Sequence, residues 1–123
     1  MLDHIILTVS DIKRSLAFYE AALKPLNIKF FMPYKGADGH PDLWGFGDGK
    51  RAFFWIKQGK PDPTAIHWGF LAENEKKVDE FYKAAMSAGA RDNILRLRCR
   101  TCSGVGFPGM LTCVSRTAFR QRH

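Results

Sequence analysis

The chain has few cysteines, no long apolar run and, toward its C-terminal end, no acidic residue. Its three cysteines, Cys99, Cys102 and Cys113, all follow residue 93. The Cys99-x-x-Cys102 spacing is a weak redox or zinc signal, because no second pair completes four ligands. No apolar run reaches the roughly 18 residues of a membrane helix, and Asp3 and His4 stand where a signal peptide would be basic. These absences predict one cytoplasmic domain of 123 residues.

The net charge of +7 is concentrated at one end of the chain. Residues 1–92 hold 13 basic and 12 acidic residues, whereas residues 93–123 hold six arginines and no acid. A basic chain is a candidate for nucleic-acid binding. Because most of this chain is nearly neutral, we expect neither a nucleic-acid nor a membrane partner.

An internal repeat with a constant offset of 63 residues is the main positive feature of the sequence. Without a gap, His4 falls on His67 and Phe18-Tyr19 falls on Phe81-Tyr82. A unit that is used twice determines the architecture. The repeat also places two imidazoles at equivalent points, which indicates one site shared by the two halves.

Periodicity and turn residues predict a strand, a helix and three further strands before the second unit begins. Ser10 or Asp11 is expected to cap the first helix, and Pro25 to end it. The predicted elements are strand 2–9, helix 12–23, strand 26–32, loop 34–41, strands 42–46 and 52–57 around a hairpin, linker 59–63, strand 65–72 and helix 75–86. In both initial strands, large apolar residues alternate along one face, so His4 and His67 are expected on the opposite face.

The string from Leu2 to Tyr19, Leu-Asp-His-Ile-Ile-Leu-Thr-Val-Ser-Asp-Ile-Lys-Arg-Ser-Leu-Ala-Phe-Tyr, resembles the opening of the vicinal oxygen chelate superfamily. That superfamily comprises glyoxalases, bleomycin resistance proteins and extradiol dioxygenases. The resemblance covers residues 1–93 and implies an α+β fold of paired βαβββ modules whose sheets curl around a cleft. It assigns residues 1–58 to module one, 65–93 to module two and 94–123 to an aberrant tail, so the second module is expected to be incomplete or rewritten.

The resemblance also implies a metal site. In metal-dependent members, the first and last strands of each module provide one ligand each, and His4 and His67 match the two first-strand ligands. The last strand of module one, residues 51–58, has no carboxylate, and Gln58 is its only neutral oxygen donor. The implied ion is Zn, Ni, Fe or Mn, acting as a Lewis acid in a lyase, isomerase or dioxygenase with a small oxygenated substrate.

A metal-free binding protein of the bleomycin resistance type is the alternative, because two histidines without a carboxylate form a weak site for a hard metal. An aromatic cluster is more typical of a core, but strand parity turns part of it toward the cleft, where it suits a planar or aromatic ligand. Tyr34, Lys35 and His40 either gate that cleft or are solvated. A homodimer is expected. The aromatic cluster comprises Phe30, Phe31, Trp44, Phe46, Phe53, Phe54 and Trp55.

The tail does not continue the repeat, and we interpret it as the product of a reading-frame shift near residue 94, either in the gene itself or in the determination of its sequence. A shifted frame is read by joining the third base of each codon to the first two bases of the next codon. From Gly109 through Ala118, this shifted frame permits Tyr-Ala-Tyr-Val-Arg-x-Pro-Asp-Gly. That string resembles the family's approach to its last strand, although the family's usual Asp at x is not permitted. Because residues 93–123 have little apolar surface, we expect the tail to be irregular rather than to form three strands.

Overall fold

The computed structural model describes residues 1–62, 68–92, 102–107 and 110–115. At residues 91–92, 102–107 and 110–115 it describes the backbone alone. The first module contains β1 (Ile5–Val9), α1 (Ile12–Leu23), β2 (Lys29–Tyr34), β3 (Leu43–Gly47) and β4 (Ala52–Gln58). The second contains β5 (Trp68–Leu71), α2 (Glu75–Ser87), β6 (Arg91–Asp92), β7 (Cys102–Phe107) and β8 (Met110–Ser115). No helix in the described residues is long and apolar enough to cross a membrane.

The two sheets have the same topology, which confirms paired βαβββ modules. The strand orders are β1-β4-β3-β2 and β5-β8-β7-β6. In each sheet the first strand pairs in parallel with the last: Ile5 pairs with Phe54, and Trp68, its equivalent in the repeat, pairs with Thr112. His67, the equivalent of His4, lies outside the described residues.

Two segments of the tail form regular strands, so the expectation of an irregular tail is wrong for residues 102–107 and 110–115. The rest of the tail lies outside the described residues. Residues 102–107 pair antiparallel with residues 110–115, which in turn pair with β5. The expectation rested on side-chain composition, whereas a ladder is formed by backbone N–H and C=O groups, which every residue except proline carries.

Side-chain caps start both helices. Asp11 has an extended backbone, and its carboxylate accepts a hydrogen bond from the Arg14 N–H at 3.1 Å. Asn74 caps α2 in the same way, accepting from the Lys77 N–H at 2.9 Å. These caps satisfy backbone donors that have no partner within the helix.

The hydrophobic core lies between the helices and one face of each sheet. Leu7 and Val9 of β1 are buried, whereas Ile6 between them is 44% exposed, so the predicted strand parity is confirmed. Phe54 connects the modules: its ring packs edge-to-face on Phe70 at a centroid distance of 5.1 Å and stacks on Trp68 at 6.2 Å. The other face of the first sheet, here called the open face, is opposite the core, because side chains alternate along a strand. It carries Ile6, Thr8, Leu43, Trp55 and Lys57.

Candidate functional site

His4 lies just before β1, and Asp3 orients its imidazole. The Nδ1 of His4 is 2.8 Å from the Oδ2 of Asp3, and half of the His4 side chain is exposed. With the proton on Nδ1, the imidazole donates to the carboxylate, and Nε2 keeps its lone pair. Carboxylates hold metal-binding histidines in this manner, since the contact determines the tautomer and the ring orientation.

Arg51 forms an ion pair with the second oxygen of the Asp3 carboxylate. Its Nη1 lies 2.7 Å from Asp3 Oδ1, and its Nη2 donates to the Asp3 carbonyl at 3.3 Å. The hydrogen bond from His4 and the attraction of Arg51 lower the pKa of Asp3 below its ordinary value. The carboxylate of Asp3 is thus shared between a cation and the imidazole, and it positions His4 without itself being free to bind a metal.

A cavity of about 270 Å³ adjoins His4 where the two modules meet. The first module contributes Arg51 and Phe53 to its lining, and the second contributes Trp68 and Leu71. The indole Nε1 of Trp68 is buried and has no hydrogen-bond partner among the described residues. This His4 cavity therefore offers one imidazole, one guanidinium and an apolar wall.

Gln58 does not contribute to this cavity, because it stabilises the start of α1. Its Oε1 accepts from the Ile12 N–H at 3.0 Å, and its Nε2 donates to the Ser10 carbonyl. Both polar atoms of the amide are therefore used, and Gln58 is not a candidate ligand. The sequence identified the only neutral oxygen donor in β4, but it gave no signal that this donor faces the helix terminus.

The described residues do not complete a metal site. Nowhere in the described part of the chain do three His, Cys, Asp or Glu side chains lie close enough together to hold an ion. Beside His4 the cavity has Phe53 and the cationic Arg51, and neither binds a metal cation. His67 and Cys99 lie outside the described residues, so the paired-histidine site stays a prediction.

A second cavity, of about 410 Å³, lies on the open face of the first sheet. We call it the open-face cavity. It falls within the size range of small-molecule sites. It is lined by Ile6, Thr8, Tyr34, His40, Pro41, Leu43 and Lys57.

A closed loop between β2 and β3 brings His40 to the open-face cavity. Asp42 closes the loop by accepting from the Lys35 ammonium and from the Gly36 N–H, each at 2.9 Å. These two contacts lower the pKa of Asp42 below its ordinary value. Tyr34 and His40 therefore line this cavity, whereas Lys35 is paired with Asp42 and is not in the lining. A gating role for Tyr34 and His40 stays a prediction.

Trp55 lies beside this cavity on the open face, paired with Ile6 and Gly45 across the sheet. A Cβ atom at Gly45 would come within 2.7 Å of the Trp55 ring, so the indole lies directly over the glycine backbone. The absence of a side chain at Gly45 thus allows an aromatic ring to lie flat on the sheet.

The profile of the Glyoxalase/Bleomycin resistance protein/Dioxygenase superfamily matches residues 1–96. Three solved structures are similar to this chain, and because their sequence identities are low, the similarity shows the fold alone. A variant of fosfomycin resistance protein FosX from Listeria monocytogenes, complexed with Mn(II) and 1S,2S-dihydroxypropylphosphonic acid, has a TM-score of 0.71 at 21% identity, covering 99% of this chain and 96% of that one. The trypanothione-dependent glyoxalase I of Leishmania major has a TM-score of 0.69 at 16% identity, covering 98% and 91%. A glyoxalase/bleomycin resistance protein from Albidiferax ferrireducens has a TM-score of 0.68 at 19% identity, covering 92% and 95%. No curated protein sequence matches the chain.

Proposed function

The chain belongs to the glyoxalase/bleomycin resistance protein/dioxygenase superfamily, and from this premise we propose that it binds a small planar organic molecule in the open-face cavity. One observation carries the proposal: a cavity of about 410 Å³, lined in part by the apolar residues Ile6, Pro41 and Leu43, lies on the sheet face opposite the core. Ile6 is 44% exposed there, and Tyr34 is 49% exposed. Apolar groups that remain in contact with water in the free protein favour a ligand that covers them.

A neutral planar probe tests this proposal. Titration with 2-naphthamide is expected to shift the amide resonances of Thr8 and Leu43 in a ¹H–¹⁵N spectrum. Ile6→Asp should abolish these shifts, because it places a carboxylate in the cavity and, at a half-exposed position, spares the core. Met86→Asp is the matched control, since Met86 is also exposed but lies on α2. Shifts that are absent in the parent protein, or unchanged in Ile6→Asp, would refute binding at this cavity.

A second proposal is a metal-dependent enzyme that uses His4 and His67. The Asp3–His4 contact supports it, because it leaves Nε2 of His4 free. A bound divalent ion would supply Lewis-acid chemistry to a small oxygenated substrate. Metal analysis and titration with Zn, Ni, Fe and Mn are expected to show binding of modest affinity.

The histidine variants decide this second proposal. Both His4→Ala and His67→Ala should abolish metal binding, whereas His40→Ala should retain it, because His40 lies in the other cavity. Binding should also weaken in acid, since coordination requires neutral imidazole. Binding that survives both substitutions would place the metal elsewhere.

We also propose that the chain forms a homodimer through β2. This strand is at the edge of its sheet and exposes Phe31 and Met32, at 38% and 43%. An exposed apolar edge strand tends to pair with another chain. Sedimentation should give a dimer that Phe31→Ser weakens. A monomer at every concentration would contradict the proposal.

A further inference from the structure

The polar groups that line the open-face cavity are hydrogen-bond donors. Thr8, Tyr34 and His40 each offer an O–H or N–H group, and Lys57 offers an ammonium. No Asp or Glu belongs to the lining. The hydroxyls can also accept, but the Lys57 ammonium can only donate. A ligand that satisfies Lys57 must therefore present an acceptor atom, and a negative charge satisfies the ammonium best.

Lys57 is the only fully charged group in this lining, and among the described residues it has no ion-pair partner. It lies opposite Thr8 in the parallel pairing of β1 and β4, and its side chain is half-buried. Within the described residues no carboxylate forms an ion pair with it, whereas Lys35 and Lys77 each have one. Partial burial of an unpaired charge is costly unless an opposite charge arrives.

The apolar part of the lining limits what else the ligand contains. Ile6, Pro41 and Leu43 share the cavity with Lys57. The volume of about 410 Å³ exceeds what a simple inorganic anion would fill. We infer that the open-face cavity binds a small organic anion, with the acidic group on Lys57 and an apolar body on Ile6 and Leu43. This inference rests on the proposed ligand cleft and specifies its substrate class.

The test compares two probes of the same shape. Calorimetric titration with 2-naphthoate and with neutral 2-naphthamide isolates the effect of the charge. We expect 2-naphthoate to bind at least about tenfold more tightly, as for a charge-assisted hydrogen bond. Lys57→Met should remove that advantage while changing 2-naphthamide binding less than about twofold. Lys13→Met, on the exposed surface of α1, is the matched control and should behave like the parent protein.

The outcomes separate the two proposals. If both probes bind equally and Lys57→Met changes neither, the anion inference is overturned and the planar-ligand cleft stands. If neither probe binds the parent protein, both proposals fail. Lys57→Glu supplies an independent check, since it should reverse the preference in favour of the neutral probe. A ¹H–¹⁵N spectrum of each variant establishes that it is folded.

Discussion

At the scale of single residues, Gln58 holds the start of α1 against the end of β4. The substitution Gln58→Ala removes a hydrogen bond to the Ile12 N–H and one to the Ser10 carbonyl. We expect the free energy of unfolding to fall by about 1–2 kcal/mol in urea denaturation. Gln58→Glu should not restore the stability, because a carboxylate still accepts from Ile12 but cannot donate to the Ser10 carbonyl. Unchanged unfolding in Gln58→Ala would contradict this role.

The residue patterns predicted the exposure of His4 but not the contacts of Gln58. Strand parity and the repeat placed His4 outside the core, and its half-exposed side chain agrees with that. No pattern showed that Gln58 would contact Ser10 and Ile12, because the contact joins residues far apart in the sequence. Lys57 was missed for a similar reason: the sequence places it in β4, but only the pairing with Thr8 brings it to the cavity.

At the scale of elements, Asp48 stabilises the turn between β3 and β4. Its carboxylate accepts from the Lys50 N–H at 2.9 Å and from the Arg51 N–H at 3.1 Å. These backbone contacts, with Lys50 first, lower the pKa of Asp48 below its ordinary value. The contribution of these Asp48 contacts to folding stability is therefore complete above about pH 3.9, the unperturbed aspartate value. It is lost as the pH falls through the lower pKa that Asp48 has in the folded protein.

The corresponding prediction concerns the urea midpoint at two pH values. Asp48→Ala should lower the midpoint at pH 7, and the difference from the parent protein should shrink in acid, as the pH falls through the lowered pKa of Asp48 and the carboxylate becomes protonated. Asp79→Ala, on the exposed face of α2, changes the net charge equally and should leave the midpoint nearly unaltered at both pH values. A difference for Asp48→Ala that persists or grows in acid would refute this account.

Element boundaries were predicted well where a cap or a proline marks them. Helix α1 has the predicted limits of 12 and 23, because Asp11 caps it and Pro25 follows it. The second strand was expected at Leu26 but begins at Lys29, since residues 24–26 form a 3₁₀ turn and Asn27 is left-handed. Alternating apolar residues near Leu26 did not distinguish a strand from such a turn. Tyr34, expected in a loop, is the last residue of β2.

At the scale of the whole molecule, Phe54 packs the two modules against each other, so we expect them to fold as one unit. Phe54 is fully buried and contacts Trp68 and Phe70 of the other module. Phe54→Ala should lower the free energy of unfolding by about 3–5 kcal/mol. A double-mutant cycle with Phe70→Ala should give a coupling of about 0.5–1.5 kcal/mol.

A control substitution and a test of cooperative unfolding accompany the Phe54 prediction. Met86→Ala removes an apolar side chain that is 36% exposed on α2, and it should cost much less. Unfolding followed by tryptophan fluorescence and by far-ultraviolet circular dichroism should give coincident transitions. Two separate transitions, or strictly additive effects of Phe54→Ala and Phe70→Ala, would mean that the modules fold independently.

The family match and the charge distribution change at nearly the same point of the chain. The profile ends at residue 96, and the acid-free, arginine-rich stretch begins at residue 93. Residues 110–115 still pair with β5, but such pairing is a property of the backbone and does not require the family's side chains. A frame shift near residue 94 accounts for both boundaries, because it replaces the side chains and leaves the preceding module intact.

Sequencing the gene through codons 90–123 tests this interpretation. We expect an inserted or deleted base near codon 94, and a restored frame that encodes the Tyr-Ala-Tyr-Val-Arg-x-Pro-Asp-Gly string. The restored chain should bind divalent metal more tightly than the present one, because the family's last strand supplies a carboxylate that residues 93–123 lack. His4→Ala in the restored chain should remove that gain. A gene that encodes the present tail in one continuous frame shared by close relatives would show that the arginine-rich ending is native.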